Sequence, residues 1–140
     1  MDINGVIFRK LETLDITLGE LYSLGKVTID QLENDWRTRR AIERNLQILV
    51  EIVVDICQRF LSISGQAPGT TSTEAVQRCI DLGVLSDFEA YQRMVQFRNF
   101  IVHRYERIDV EILVGMINRY LDDFERFKKE VLAYVRENRS

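Results

Sequence analysis

Apolar residues recur in this chain at steps of three and four. From Ile3 to Leu24 they fall at Ile3, Ile7, Leu11, Leu14, Leu18 and Leu21, which mark one face of a helix. Gly25 ends that segment. Thr28-Ile-Asp-Gln31 reads as a small capping box, and Asn34 or Asp35 is placed to cap the next helix. That helix is the longest pattern, from about Trp36 to about Ile63, with Ile42, Leu46, Leu49, Val53, Ile56 and Phe60 as its stripe. Val50, Val54 and Cys57 widen that stripe, so this helix is expected to be central and contacted from more than one side.

The next stretch, Ser62 to Ser72, gathers small residues, two glycines and the chain's single proline, and reads as a flexible loop. A short helix is predicted from Thr73 to Leu82, with Ser72 as its cap and Gly83 as its stop. Ser86-Asp-Phe-Glu89 reads as a second capping box, opening a helix that carries Tyr91, Met94, Val95 and Phe97. That helix leads into Arg98-Asn-Phe-Ile-Val-His103-Arg-Tyr105, where Phe100, Ile101 and Val102 are expected to pack. Asp109 is placed to cap a last helix, Val110 to about Arg136. Its apolar face holds Ile112, Leu113, Met116, Ile117, Tyr120, Leu121, Phe124, Phe127 and Val131. No segment alternates with period two over enough residues to suggest a strand. The prediction is all-α: one domain over 1–140, an antiparallel bundle of about four to five helices.

Composition adds limits. The chain has 140 residues, enough to bury a core unaided, and a formal charge of −3. Any contact with nucleic acid must therefore use a local basic patch. Two groups qualify: Arg93, Arg98, Arg104 and Arg107, set against only Glu106, and Arg37, Arg39, Arg40 and Arg44. Cys57 and Cys79 form no metal pattern and read as buried thiols in a reducing cytoplasm. The N-terminal residues do not read as a signal peptide. The most apolar run, "LQILVEIVVDIC", is broken by Glu51 and Asp55 and falls short of the roughly 18 uncharged residues of a membrane span.

His103 is the only histidine. On a helix, Arg98 and His103 stand roughly 140° apart at ~100° per residue, whereas Asn99 and His103 share a face. The first pair converges only if the helix bends or ends near His103, or if a second chain contributes. Such a cluster suits RNA cleavage without a metal or cofactor. Histidine acts as base or acid near neutral pH, and arginine stabilises charge on the phosphate. Asn99 could orient His103 or bind substrate, and Tyr105 could hydrogen-bond phosphate. A base and an acid are both needed, so a twofold dimer that pairs two His103 side chains is expected. The alternative from spacing alone is ordinary surface and packing residues.

The same residues resemble a known motif. Arg98-x4-His103-x-Tyr105 is similar to the R-x4-H-x-Y motif of HEPN ribonucleases of the HepT type, toxins of HepT/MntA toxin–antitoxin systems. "RRAIERNLQILVEIVVDI", "AVQRCIDLGVLS" and "MVQFRNFIVHRYERID" resemble the family's long helix, short helix and motif region, so the likeness runs from about Trp36 to about Lys129. It implies an all-helical fold, a homodimer with its cleft at the interface, and Arg98 and His103 as the catalytic pair. Asn99 matches the polar residue often seen after the arginine. Tyr105 matches the tyrosine that a partner antitoxin, a minimal nucleotidyltransferase, modifies with AMP. A non-catalytic HEPN dimer that binds such a partner or nucleotides is the other function consistent with this resemblance.

Overall fold

The computed structural model describes residues 3–103 and 109–138. Those residues form seven helices: α1 (Ile3–Ser23), α2 (Ile29–Asn34), α3 (Trp36–Ile63), α4 (Ser72–Asp81), α5 (Glu89–His103), α6 (Val110–Arg119) and α7 (Asp122–Glu137). The all-helical expectation holds, but the count exceeds four to five for two physical reasons. Thr28 and Gln31 form a full capping box, which makes the six-residue α2 a helix in its own right. The expected single last helix is two. Tyr120 leaves the helical region (φ −120, ψ 6), and the chain restarts as α7 with Asp122, Asp123 and Glu125 in its first turn. Those carboxylates favour the positive end of a helix dipole. Arg93 of α5 holds the break, with its guanidinium 4.1 Å from the Tyr120 ring centre and 3.3 Å from Asp123.

α3 is the centre of the bundle. Every residue of its predicted stripe is buried, as are Val50, Val54 and Cys57, and α1, α2, α4 and α5 all pack on it. Paired contacts set the directions. Lys10 meets Asp55 and Asn45 meets Glu20, so α1 runs antiparallel to α3. Lys128 meets Asp15 and Tyr22 meets Asp122, so α7 runs antiparallel to α1. Tyr91 meets Glu130 and Arg93 meets Asp123, so α5 and α7 are antiparallel as well. Cys57 and Cys79 are free and buried between α3 and α4. Cys79 and burial together push the Cys57 thiol up, so it stays protonated.

Three local expectations change. The cap of α4 is Thr71, whose hydroxyl accepts from the Glu74 N–H at 3.0 Å, while Ser72 is buried inside the helix. Ser86 does not join a box with Glu89. Its N–H and hydroxyl both donate to Glu130 of α7, at 2.9 and 2.7 Å. The loop after α3 is pinned: Gln58 donates to the Gly69 carbonyl at 3.0 Å and accepts its N–H at 2.8 Å. A Cβ on Gly69 would stand 2.7 Å from the Ala75 nitrogen, so only glycine permits this approach. Asp35, Gly83 and Asp109 take the roles expected of them.

Glu130 ties α5 to α7. It accepts from Ser86, from the Tyr91 hydroxyl at 2.7 Å and from Arg126 at 3.0 Å. Burial alone would raise its pKa, but the bonds from Ser86, Tyr91 and Arg126 hold it below the ordinary 4.5. The same burial and the neighbouring carboxylate push the Tyr91 phenol far up. A lowered folded pKa contributes stability above the unfolded value and loses it as pH falls through the folded one. Glu130→Ala is therefore expected to cost about 2 kcal/mol at pH 7, by stranding the Tyr91 hydroxyl. It should also flatten the loss of stability below pH 4.5, measured by urea unfolding across pH.

Candidate active site

The seam between α3 and α5 holds Arg98. α5 lies antiparallel to α3, with Tyr91 near Cys57 and Arg98 beside Glu51. Continuing that register sets the last turn of α5 beside the N-terminal half of α3. Arg98 is half-buried, and its Nε lies 3.4 Å from Glu51 Oε1. The approach is ionic: Nε is buried and has no hydrogen-bond partner. Asn99 is half-buried as well. α5 is unbroken from Glu89 to His103, so no bend brings positions 98 and 103 together within the helix. Convergence is left to the stretch after His103 or to a second chain. The His103 side chain, Arg104, Tyr105, Glu106 and Arg107 lie outside the described residues.

The two basic groups of the sequence separate by environment. Arg93 is committed to Tyr120, Asp123 and Glu89. Arg39 is buried and pairs with Glu43 at 3.4 Å, so it belongs to the interior rather than to a phosphate track. Arg37, Arg40 and Arg44 are exposed, with Arg37 over the Trp36 ring at 5.5 Å. Those three remain available to a polyanion.

On its other side, α5 faces α6 across an open groove of about 360 Å³. Gln96, Phe100, Ile112, Gly115 and Met116 line it, and Arg93 and Tyr120 lie at one end. Phe100 and Ile112 were expected to pack; they are 42% and 39% exposed here, whereas Ile101 does pack on the core. Gly115 sits inside α6 with nothing within 4 Å of where its Cβ would be. Glycine there weakens the helix and is not required by any neighbour among the described residues. Its effect is to keep the groove open.

A family model described as ribonuclease HepT-like matches residues 15–131. The chain belongs to the HepT-like ribonuclease family. Among curated proteins, the mRNA nuclease HepT of Shewanella oneidensis is 28% identical over 133 residues, covering 89% of this chain and 95% of that protein. Solved structures agree in fold. One is a toxin–antitoxin assembly with AMP-PNP, with TM-score 0.81 and 21% identity over 95% of this chain and 99% of the other. Another is the tri-AMPylated Shewanella oneidensis HEPN toxin in complex with its MNT antitoxin, with TM-score 0.78 and 22% identity over 95% and 98%. The HepT-like match covers the region in which the sequence resembled this family and extends N-terminally into α1.

Sequence reasoning noted Glu51 only as a charge that interrupts an apolar run. The missed signal is the spacing Arg39, Glu43, Gln47, Glu51, a polar row at intervals of four beside the buried stripe of the helix. Such a row needs partners from a neighbouring helix. Among the described residues, no group of three or more His, Cys, Asp or Glu is placed to hold a metal ion, and no helix is long and apolar enough to cross a membrane. The interior position of Arg39 has a measurable consequence. Arg39→Ala, which removes a buried guanidinium and its ion pair with Glu43, should cost on the order of 3 kcal/mol. Arg40→Ala and Arg44→Ala should each change stability by less than about 0.5 kcal/mol in urea titrations.

Proposed function

We propose that this HepT-like chain is the toxin of a toxin–antitoxin pair, a metal-independent endoribonuclease acting as a homodimer. The observation that carries the reading is Arg98-x4-His103-x-Tyr105 at the end of α5 in a chain of this family, with Arg98 at the surface seam. In the proposed reaction one His103 takes the proton of a ribose 2'-hydroxyl. The 2'-oxygen attacks the adjacent phosphorus, and the bond to the 5'-oxygen of the next nucleotide breaks. The second His103, protonated, gives its proton to that leaving oxygen. The products are a 2',3'-cyclic phosphate and a 5'-hydroxyl, with no net proton consumed. Arg98 stabilises charge on the phosphorane oxygens, and Asn99 orients His103 or a substrate oxygen.

The dimer finds support in the α5–α6 groove. Its exposed Phe100 and Ile112, with the space above Gly115, suit the same face of a second copy, as in an isologous interface. The separation of positions 98 and 103 around α5 gives that second copy a chemical purpose. Gly115→Trp should fill the groove and shift the protein toward monomer in sedimentation, with loss of cleavage.

A nucleotidyltransferase antitoxin is the proposed partner, because solved relatives in fold include an AMPylated toxin bound to an MNT antitoxin. It would join AMP from ATP to the Tyr105 hydroxyl and release pyrophosphate. The attached phosphate places negative charge beside the groove and repels RNA. The test begins with cellular RNA and purified protein in EDTA. Cleavage to cyclic-phosphate ends by wild type, absent in His103→Ala and Arg98→Ala dimers, is the expected result. Persistent cleavage by both variants overturns the assignment. A silent wild type that still binds the antitoxin tightly favours the non-catalytic dimer. Incubation with ATP and the antitoxin should add mass in whole AMP increments, with none at position 105 in Tyr105→Phe.

A further inference from the structure

We infer that Glu51 is a positioning residue for Arg98, holding its guanidinium so that the two terminal nitrogens face an RNA phosphate; this rests on the ribonuclease function proposed above. Three observations lead there. First, Glu51 is out of place on packing grounds alone. Val50, Ile52, Val53 and Val54 around it are buried, and a carboxylate in that run gives up apolar contact. Second, its position is explained by one neighbour: Arg98, brought from α5, with Nε 3.4 Å from Oε1. Third, the approach has a direction. The carboxylate's recorded approach is to Nε and not to either of the terminal Nη nitrogens. A phosphate is gripped best by those paired nitrogens, end-on.

Stabilisation does not account for the pair. Its side chains are 27% and 36% exposed, and Nε makes no hydrogen bond, so its contribution to folding is small. What Glu51 restricts is a long side chain with many rotamers. A guanidinium already aimed at the phosphate loses less freedom when the transition state forms, and small misplacements of such groups are costly in rate. Glu51 touches no reacting atom. It acts on the reaction through Arg98.

The experiment compares Glu51→Gln and Glu51→Asp with wild type in single-substrate RNA cleavage, with melting temperature recorded for each. Glu51→Gln keeps the size of the side chain and loses its charge. It should lower kcat by about 10- to 100-fold with KM little changed and the melting temperature nearly constant. Glu51→Asp should recover part of the rate. In an Arg98→Lys background the same Glu51→Gln change should have much less effect, since the group it orients is gone. The Nε–Hε NMR signal of Arg98, identified by its loss in Arg98→Lys, should move in Glu51→Gln. An active wild type with an equally active Glu51→Gln, an unmoved Arg98 signal, or additive effects in the two backgrounds each overturns the positioning role while leaving the ribonuclease standing. A silent wild type overturns both.

Discussion

A helix packed on several sides can bury charge only where a partner meets that charge. α3 is that helix. It runs 28 residues through the middle of the bundle with α1, α2, α4 and α5 against it. Its interior charges are Arg39 and Glu43, paired with each other, and its half-buried Glu51 is met by Arg98. The seam at which α5 meets α3 therefore carries a charge from each helix, Arg98 and Glu51. Core packing and the candidate site draw on the same surface.

The rest of the fold serves to place α5 on that seam. Glu130 takes up the loop before α5 and the Tyr91 hydroxyl, and Arg93 bridges α5 to the turn between α6 and α7. Tyr91 is fully buried, edge-on to both Phe88 and Phe127. These contacts lie in the first half of α5. The second half carries Arg98 to α3 and presents Phe100 to the groove. One helix is thus anchored at one end and turns one face to α3 and another to the groove at the other.

That division bears on the proposed chemistry. A single histidine per chain is short of one proton-transfer group for phosphodiester cleavage. Helical geometry also separates it from the arginine of its own motif. Both shortages have one proposed remedy, a second copy of the chain. An acidic chain that handles RNA must also concentrate its available cations. Arg39 and Arg93 are taken up by carboxylates and an aromatic ring, which leaves Arg37, Arg40 and Arg44 as the exposed set on α3.

Much of the fold was legible in sequence because helical periodicity is local. The stripes of α1 and α3, the Thr28 box, the Asp35 and Asp109 caps and the Gly83 stop depend on residues within a turn or two of each other. The motif from Arg98 to Tyr105 was legible for the same reason, and so was its likeness to HepT-type proteins. Other features needed partners distant in the chain. Ser86 has the spacing of a capping box with Glu89, yet its hydroxyl goes to Glu130, forty-four positions away. The break at Tyr120 has no glycine or proline to announce it and is held by Arg93. Glu51 reads as an interruption until α5 sets Arg98 against it. By itself the sequence determined most of the helical segments and the spacing from Arg98 to Tyr105, since both are written in short-range order. Only the tertiary structure decided which charges are paired with one another and which stay exposed, because a charge finds its partner across helices that are neighbours in space and strangers in sequence.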